Sequence, residues 1–415
     1  MEQMNLFGNI DVPIKPQTKS SFNAEEYQHI VLKSSVSKDE YTDYIHQAFD
    51  LEISDVSKVC IPNNLHIDKL GDWNIGVICG ASGSGKSTIL THLAHKSGGV
   101  ISHPSFDSNK CLISNFDNMT PKEATMLLSA MGLASVPTWI RPFNVLSNGE
   151  QYRASLAKAV SMSNDDEIIF IDEYTSVVDR NVAKSMSNAL QKYIRAHNKR
   201  IILATCHYDI FEWLRPDWIY DLNKGGALER GDYLRRPPIE LQVYRTMADT
   251  WDRFKKHHYI TEEMNNGAYC YCFVWDENLV AFCSVLANPG KGLDNAWRIS
   301  RVVVMPDFQG LGIGRNVCEF ISAIYMQGKK RMYIKTVNPS IGEYFERSNT
   351  WSPTGYNGRE RGISLSDAQK YANRLTRKSY CYKYVGKPIS GYEELLLPID
   401  ELRHKNATKG QLTLF

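Results

Sequence analysis

Glycines followed by a lysine and a hydroxyl occur at Gly80-Ala81-Ser82-Gly83-Ser84-Gly85-Lys86-Ser87, and glycines lacking both occur at Gln309-Gly310-Leu311-Gly312-Ile313-Gly314. Bare amides opening a helix present N–H groups to a bound anion, so both runs suit phosphorylated ligands. In the first run Gly80, Gly83 and Gly85 let the backbone approach phosphates. Lys86 is expected to reach the β- and γ-phosphates and Ser87 to coordinate Mg²⁺, with Thr88 also among the nucleotide-binding residues. Downstream, Asp172-Glu173 closes the apolar run Ile168–Ile171 and places two carboxylates at a strand tip. Asp172 is expected to hold Mg²⁺ through water, and Glu173 to polarise an attacking water. The second run suits a pyrophosphate held by the backbone alone. A dinucleotide-binding loop is its alternative, although it lies late in its domain and begins with Gln309.

Both loops need a strand before them and a helix after them. A chain of 415 residues has room for two or three domains, so each loop can have its own core. We expect a flexible tail over 1–20, a nucleotide-binding domain over 21–231, a stiff Arg-Pro-Pro linker over 232–238, a second α/β domain over 239–403, and a polar tail over 404–415. Strands are expected at Asn74–Cys79, Cys111–Ser114, Ile168–Ile171, Arg200–Thr205 and Trp218–Tyr220. In the second domain helices run to about Met264, followed by strands at Ala268–Trp275, Leu279–Leu286, Ala296–Val304 and Arg331–Thr336, with a helix from Arg315. A hydrophobic content of 43%, a charged content of 23% and a net charge of +2 give no global signature of nucleic-acid binding. Nine cysteines without a CxxC pair, and no apolar leader, point to a reducing cytosol. No apolar run approaches the ~20 residues that span a bilayer.

The segment Leu146-Ser147-Asn148-Gly149-Glu150-Gln151-Tyr152-Arg153 resembles the signature motif of ABC-type ATPases. The resemblance continues through Ala154–Val160, through Ser176-Val177-Val178-Asp179 as the D-loop, and through His207 as the switch histidine. It implies a head-to-tail dimer that buries ATP and Mg²⁺ between two copies, with Ser147, Gly149 and Asp179 contacting nucleotide. The sequence departs from the family at Asn148, where glycine is usual, and at Glu150, where glutamine is usual. The Q-loop position falls to Asn115 or Asp117. The short segment before the signature leaves little room for the subdomain with which transporters grip membrane partners, so the likeness is to DNA-repair or chromosome-type relatives.

The run Arg301-Val302-Val303-Val304-Met305-Pro306-Asp307-Phe308, followed by the second loop, resembles the acyl-CoA motif of GNAT acyltransferases. That family implies a splayed strand at Val302–Val304 for the pantetheine arm, with Val303 and Val304 in contact. The amides of Gln309, Gly310, Gly312 and Gly314, with Arg315, then hold the pyrophosphate. Tyr344 is placed either to protonate a leaving thiolate or to pack its helix. Trp297–Arg301 supplies no carboxylate base, so catalysis needs another base or only orientation; His257, His258 and Tyr259 are the candidate cluster, with surface or packing roles as their alternative. The combined chain resembles ABC-ATPase/acyltransferase fusions of phages and microbes, and its second half resembles the Mom-type enzymes that modify bases in phage DNA. The expected fold is α/β, an ABC-type P-loop domain followed by a GNAT domain, with acetyl-CoA or another acyl donor as cofactor.

Gln411-Leu412-Thr413-Leu414-Phe415 resembles the peptide by which bacterial DNA enzymes dock on the replication sliding clamp, and Gln3-Met4-Asn5-Leu6-Phe7 repeats the frame. The alternative is that either peptide docks on its own domain. The expected function is an ATP-regulated acyltransferase acting on a DNA base and recruited by the clamp, without membrane association. Its alternatives are a nucleic-acid-associated ATPase whose GNAT fold is a binding module, or an acyltransferase for tRNA or protein.

Overall fold

In a computed structural model the described residues are 29–99, 101–102, 104–164, 166–232, 234–258, 263–288, 294–362, 376–399, 401 and 409–414. Gln3–Phe7, Tyr259 and Phe415 lie outside them. The chain divides into two compact units, Met1–Ile67 and Asp68–Phe415; the first takes in residues 21–67 of the expected nucleotide-binding domain, and the second holds the rest of it together with the expected 239–403 domain. The first unit pairs β1 (His29–Ser35) antiparallel with β2 (Val56–Pro62), joined through α1 (Glu40–Phe49). Asp39 caps α1 by accepting from the amides of Tyr41 and Thr42.

In the second unit the N-terminal half runs through β3 (Ile75–Cys79), α2 (Lys86–Lys96), α3 (Pro121–Ala130), α4 (Val136–Trp139), α5 (Asn148–Met162), β4 (Ile168–Ile171), α6 (Arg180–Ala196), β5 (Arg200–Thr205), α7 (Phe211–Leu214), β6 (Trp218–Asp221) and β7 (Ala227–Arg230). Its sheet has the order β4-β5-β3-β6-β7, with only β7 antiparallel. All of β3 is buried, as expected of a central parallel strand covered on both faces. Gly76 lies under Trp218, whose Cζ2 would stand 1.9 Å from any Cβ there. The expected strand at Cys111–Ser114 is instead a 3-10 turn over Leu112–Asn115, with one isolated bridge from Cys111 to Pro142. Leu112 turns into the core, and its amide donates to Arg141 O (2.8 Å) in a neighbouring loop, a contact that extends into no ladder.

The C-terminal half contains β8 (Ile239–Thr246), β9 (Tyr269–Trp275), β10 (Asn278–Ala287), β11 (Ala296–Val304), α8 (Ile313–Gln327), β12 (Arg331–Thr336), α9 (Pro339–Arg347), β13 (Trp351–Pro353), β14 (Glu360–Gly362), β15 (Thr376–Lys378), β16 (Tyr380–Tyr384) and β17 (Lys409–Leu414). The main sheet has the order β13-β16-β12-β11-β10-β9-β8-β17. The helices expected up to Met264 are replaced by β8 and short 3-10 turns at Ala248–Arg253 and Lys255–His257. Ile239, Leu241 and Val243 are buried while Glu240 and Gln242 are exposed, the period-2 pattern of a strand with one face on the core. β17 pairs antiparallel with β8, Gln411 opposite Gln242, so the C-terminal peptide lies on its own sheet as an edge strand rather than as a free tail. Backbone pairing with the open edge of β8 outweighs the polar composition that suggested a tail. No helix among the described residues is long and apolar enough to cross a membrane.

Candidate functional site

β3 delivers Gly80 to the carboxyl edge of the parallel sheet, and α2 starts six residues later at Lys86. Gly85 caps α2 at φ 97°, a left-handed conformation that a side chain resists. Lys86 Nζ donates to the carbonyls of Gly80 (3.0 Å) and Ala81 (2.7 Å), and the Ala81 amide donates to Asn223 Oδ1 at 2.9 Å. Ser84 Oγ is buried without a hydrogen-bond partner. An unpaired hydroxyl inside a loop of helix-opening amides fits a phosphate ligand, with Ser87 and Thr88 following on the first turn.

Asp172 and Glu173 follow β4 at the same sheet edge, and His207 follows β5. Glu173 has φ 48° and Thr175 φ 67°, left-handed values that store about 1–3 kcal/mol each in a non-glycine residue. Hydrogen bonds fix this turn: Glu173 N–H donates to Asp172 Oδ1 (2.8 Å), Tyr174 N–H to Ala204 O (2.7 Å) and Thr175 N–H to the Tyr152 hydroxyl (3.3 Å). Thr175 Oγ1 lies 3.0 Å from His207 Nδ1. Thr175 therefore joins the Glu173 turn, His207 and α5. Burial, with help from Arg180, holds the His207 imidazole below the ordinary histidine value and favours its neutral form.

Ser147 caps α5, and Asp179 caps α6 by accepting from the Asn181 amide at 2.8 Å. Glu150 takes a structural part in the signature. Its carboxylate accepts from the Ser147 amide (3.0 Å), the Ser147 hydroxyl (3.1 Å) and the Thr138 hydroxyl (2.9 Å). Burial works to raise its pKa, but these hydrogen bonds prevail and hold it below the usual carboxylate value. Gly149 lies against α6, where a Cβ would stand 3.4 Å from Val182. Of the two Q-loop candidates, buried Asn115 braces its own turn, accepting from the Asp107 amide and donating to Cys111 O. Exposed Asp117 lies 3.7 Å from Lys110.

In the C-terminal half β11 pairs with β12 only from Ala296/Arg331 to Ile299/Ile334, although β11 continues to Val304. Beyond Ile299 the strands part, and a cavity of about 560 Å³ opens there. Val303, Val304, Gln309, Gly310, Gly312, Gly314 and Arg315 line it, and Tyr344, His257 and His258 reach the same cavity. The parted strands leave Val302–Val304 without a strand partner on that side, where Gln309 Nε2 occupies Val304 O, and the left-handed Gly312 opens α8. The fit to an acyl-CoA-like donor thus rests on strand splay, cavity and helix-opening amides together.

Tyr344 donates to Glu319 Oε1 at 2.8 Å, and burial followed by Glu319 pushes its phenol up to about 12. Glu319 also accepts from Thr350 (2.8 Å) and Trp351 Nε1 (2.5 Å). Burial, then Lys256, lowers the His257 pKa, so its imidazole is neutral at physiological pH. His258 lies edge-on to Trp251, with ring centroids 5.3 Å apart.

The donor loop is built partly on the N-terminal half. Arg153 of the signature is wholly buried and donates to Gly149 O (3.1 Å), Gly132 O (2.7 Å) and, across the seam, Pro306 O (2.5 Å), with Asp307 Oδ1 at 3.3 Å. From α6, Ser185 Oγ donates to Asp307 O (2.8 Å) and Asn188 Nδ2 to Gly310 O (3.0 Å). Gln309 spans the seam, accepting from the Ala134 amide (2.7 Å) and donating to Val304 O (3.0 Å). Gly310 has φ 86°, and a Cβ there would meet Ala189 Cβ at 2.8 Å. Arg153 was legible only as part of its motif, and Glu319 carried no sequence signal, because a lone acid on an amphipathic helix resembles any solvated one.

Residues 207–347 match the acetyltransferase (GNAT) family, a span that begins ahead of β8 in the last units of the N-terminal half. The lipoprotein-releasing system ATP-binding protein LolD of Anaplasma marginale is 28% identical over 203 residues, covering 37% of this chain and 88% of that protein. LolD of Rickettsia prowazekii is 31% identical over 107 residues, covering 25% and 44%. The energy-coupling factor transporter ATP-binding protein EcfA1 of Staphylococcus aureus is 28% identical over 88 residues, covering 21% and 31%. A bacterial ABC transporter cassette solved as a dimer aligns over 42% of this chain and 92% of its own at 15% identity, with a TM-score of 0.33. The chain thus joins an N-terminal part homologous to ABC-type ATPases to a C-terminal GNAT-family domain.

Proposed function

We propose that the protein is an ATP-regulated acyltransferase that modifies a DNA base. The observation that carries the regulation is Arg153, a residue of the ATPase signature helix whose guanidinium holds Pro306 O at the entrance of the acyl-donor loop. A shift of α5 on nucleotide binding would move that loop, because no slack separates them. Ser147 is exposed at the start of α5, exposed Val145 precedes the signature and exposed Val177 lies in the D-loop, which suits a head-to-tail dimer.

Bound ATP with Mg²⁺ would supply a phosphoanhydride whose hydrolysis resets the dimer, and Lys86, Ser87 and Asp172 are the residues to hold it. Glu173 orients water, and neutral His207 is held by Thr175 near the same turn. In the donor cavity neutral His257 is suited to take a proton from an acceptor amine. Tyr344 keeps its own proton at neutral pH and must turn from Glu319 to give it to a thiolate. The acceptor on DNA follows from the resemblance to base-modifying relatives, and such chemistry needs a base drawn from the stack. Sliding-clamp recruitment through Gln411–Phe415 requires β17 to leave β8, and the proposed setting is a bacterial or phage-infected cytosol.

Mass spectrometry of nucleosides from host DNA with and without the protein tests this reading; a new modified nucleoside is expected. An unchanged profile, together with transfer to tRNA or to a protein lysine, would replace the DNA acceptor. The engagement of Tyr344 by Glu319 favours one rival, a GNAT fold that binds without transferring. Absence of acyl release on every acceptor would establish it.

A further inference from the structure

Helix α6 belongs to the ATPase-like half, yet its Lys192 lies on the wall of the donor cavity together with Arg315 at the start of α8. Arg236, from the segment between the halves, is near enough for its charge to bear on both. No carboxylate forms an ion pair with Lys192 or Arg315 among the described residues; the Arg315 guanidinium lies over the Tyr344 ring, 5.7 Å from its centroid. Like charges converging without an acid repel one another, an arrangement expected where a ligand brings the negative charge. Lys192 is exposed by surface area but stands in a concave wall. Burial there, with Arg315 and Arg236, pushes its ammonium down to about 8.

We infer that Lys192, supplied by the ATPase-like half, contacts a phosphate of a phosphorylated acyl carrier bound along Gln309–Arg315. This rests on the acyl-donor reading above. The loop amides supply directional donors, whereas Lys192 adds a point charge from the opposite wall. The donor site is therefore incomplete without α6, which begins at the D-loop cap Asp179 and carries Ser185 and Asn188 against the loop.

The test is titration of the full chain with coenzyme A, 3′-dephospho-coenzyme A and phosphate-free pantetheine. K192Q is expected to weaken coenzyme A about tenfold. K192R should retain most of the affinity, and pantetheine should bind both variants as it binds the wild type. A deficit that vanishes with dephospho-coenzyme A places Lys192 on the 3′-phosphate, and one that persists places it on the pyrophosphate; either supports the inference. Equal coenzyme A affinity in K192Q and wild type overturns it, as does an equal loss for pantetheine, which marks a structural role. If the wild type binds neither coenzyme A compound, the donor reading itself falls.

Discussion

Glu173 occupies a left-handed turn held by backbone bonds to Asp172 and by the contact of Thr175 with Tyr152 and His207, and such strain is maintained only where surroundings over-determine it. Glu173→Gln keeps the shape and removes the charge proposed to polarise water. ATP turnover is expected to fall about 100-fold or more. ATP should then hold a dimer at twice the 47.3 kDa chain mass in light scattering, and a monomer under saturating ATP would remove the sandwich mechanism. The proposed base His257 gives a pH test. Its folded pKa lies below the ordinary ~6.5, so it stays neutral and competent until the pH drops beneath that value. The acid limb of kcat/KM should lie below that value and vanish in His257→Gln; an unchanged limb would assign the base elsewhere.

At the scale of elements, α5 and α6 reach from the nucleotide motifs to the donor loop. Arg153→Met leaves the carbonyls of Gly132, Gly149 and Pro306 without their donor and should destabilise the fold by about 3–5 kcal/mol in urea titration. A loss under about 1 kcal/mol would mean that the seam is held by other contacts. Gly310→Ala places a methyl 2.8 Å from Ala189 in a backbone conformation that side chains resist. Donor affinity should drop while ATP binding persists, readable by paired titrations. The signature and the D-loop, from which these two helices start, were legible in the sequence. Their packing on the donor loop was not, since Arg153, Ser185 and Asn188 read as ordinary polar positions.

For the whole molecule, the C-terminal peptide decides between two uses. Paired with β8 it completes the sheet edge, and bound elsewhere it would expose that edge. Clamp engagement should speed hydrogen exchange of the β8 amides over Ile239–Thr246, and removing Gln411–Phe415 should abolish much of the co-elution with the clamp. Co-elution without faster exchange would point to the Gln3–Phe7 peptide.

Sequence alone located the first glycine loop, the carboxylate pair, the signature resemblance, the strands Ile168–Ile171 and Arg200–Thr205 and the second glycine loop, because each depends on local spacing that a few residues set by themselves. The parting of β11 from β12, the strand β8, the edge strand β17 and the placing of Arg153 and Lys192 came only with the tertiary structure. They depend on pairings and burial between segments far apart in the chain, and a cation looks the same in sequence whether it faces water or a neighbouring half's carbonyl. That is why the two phosphate-suited loops read as separate sites in sequence and form one connected unit in the fold.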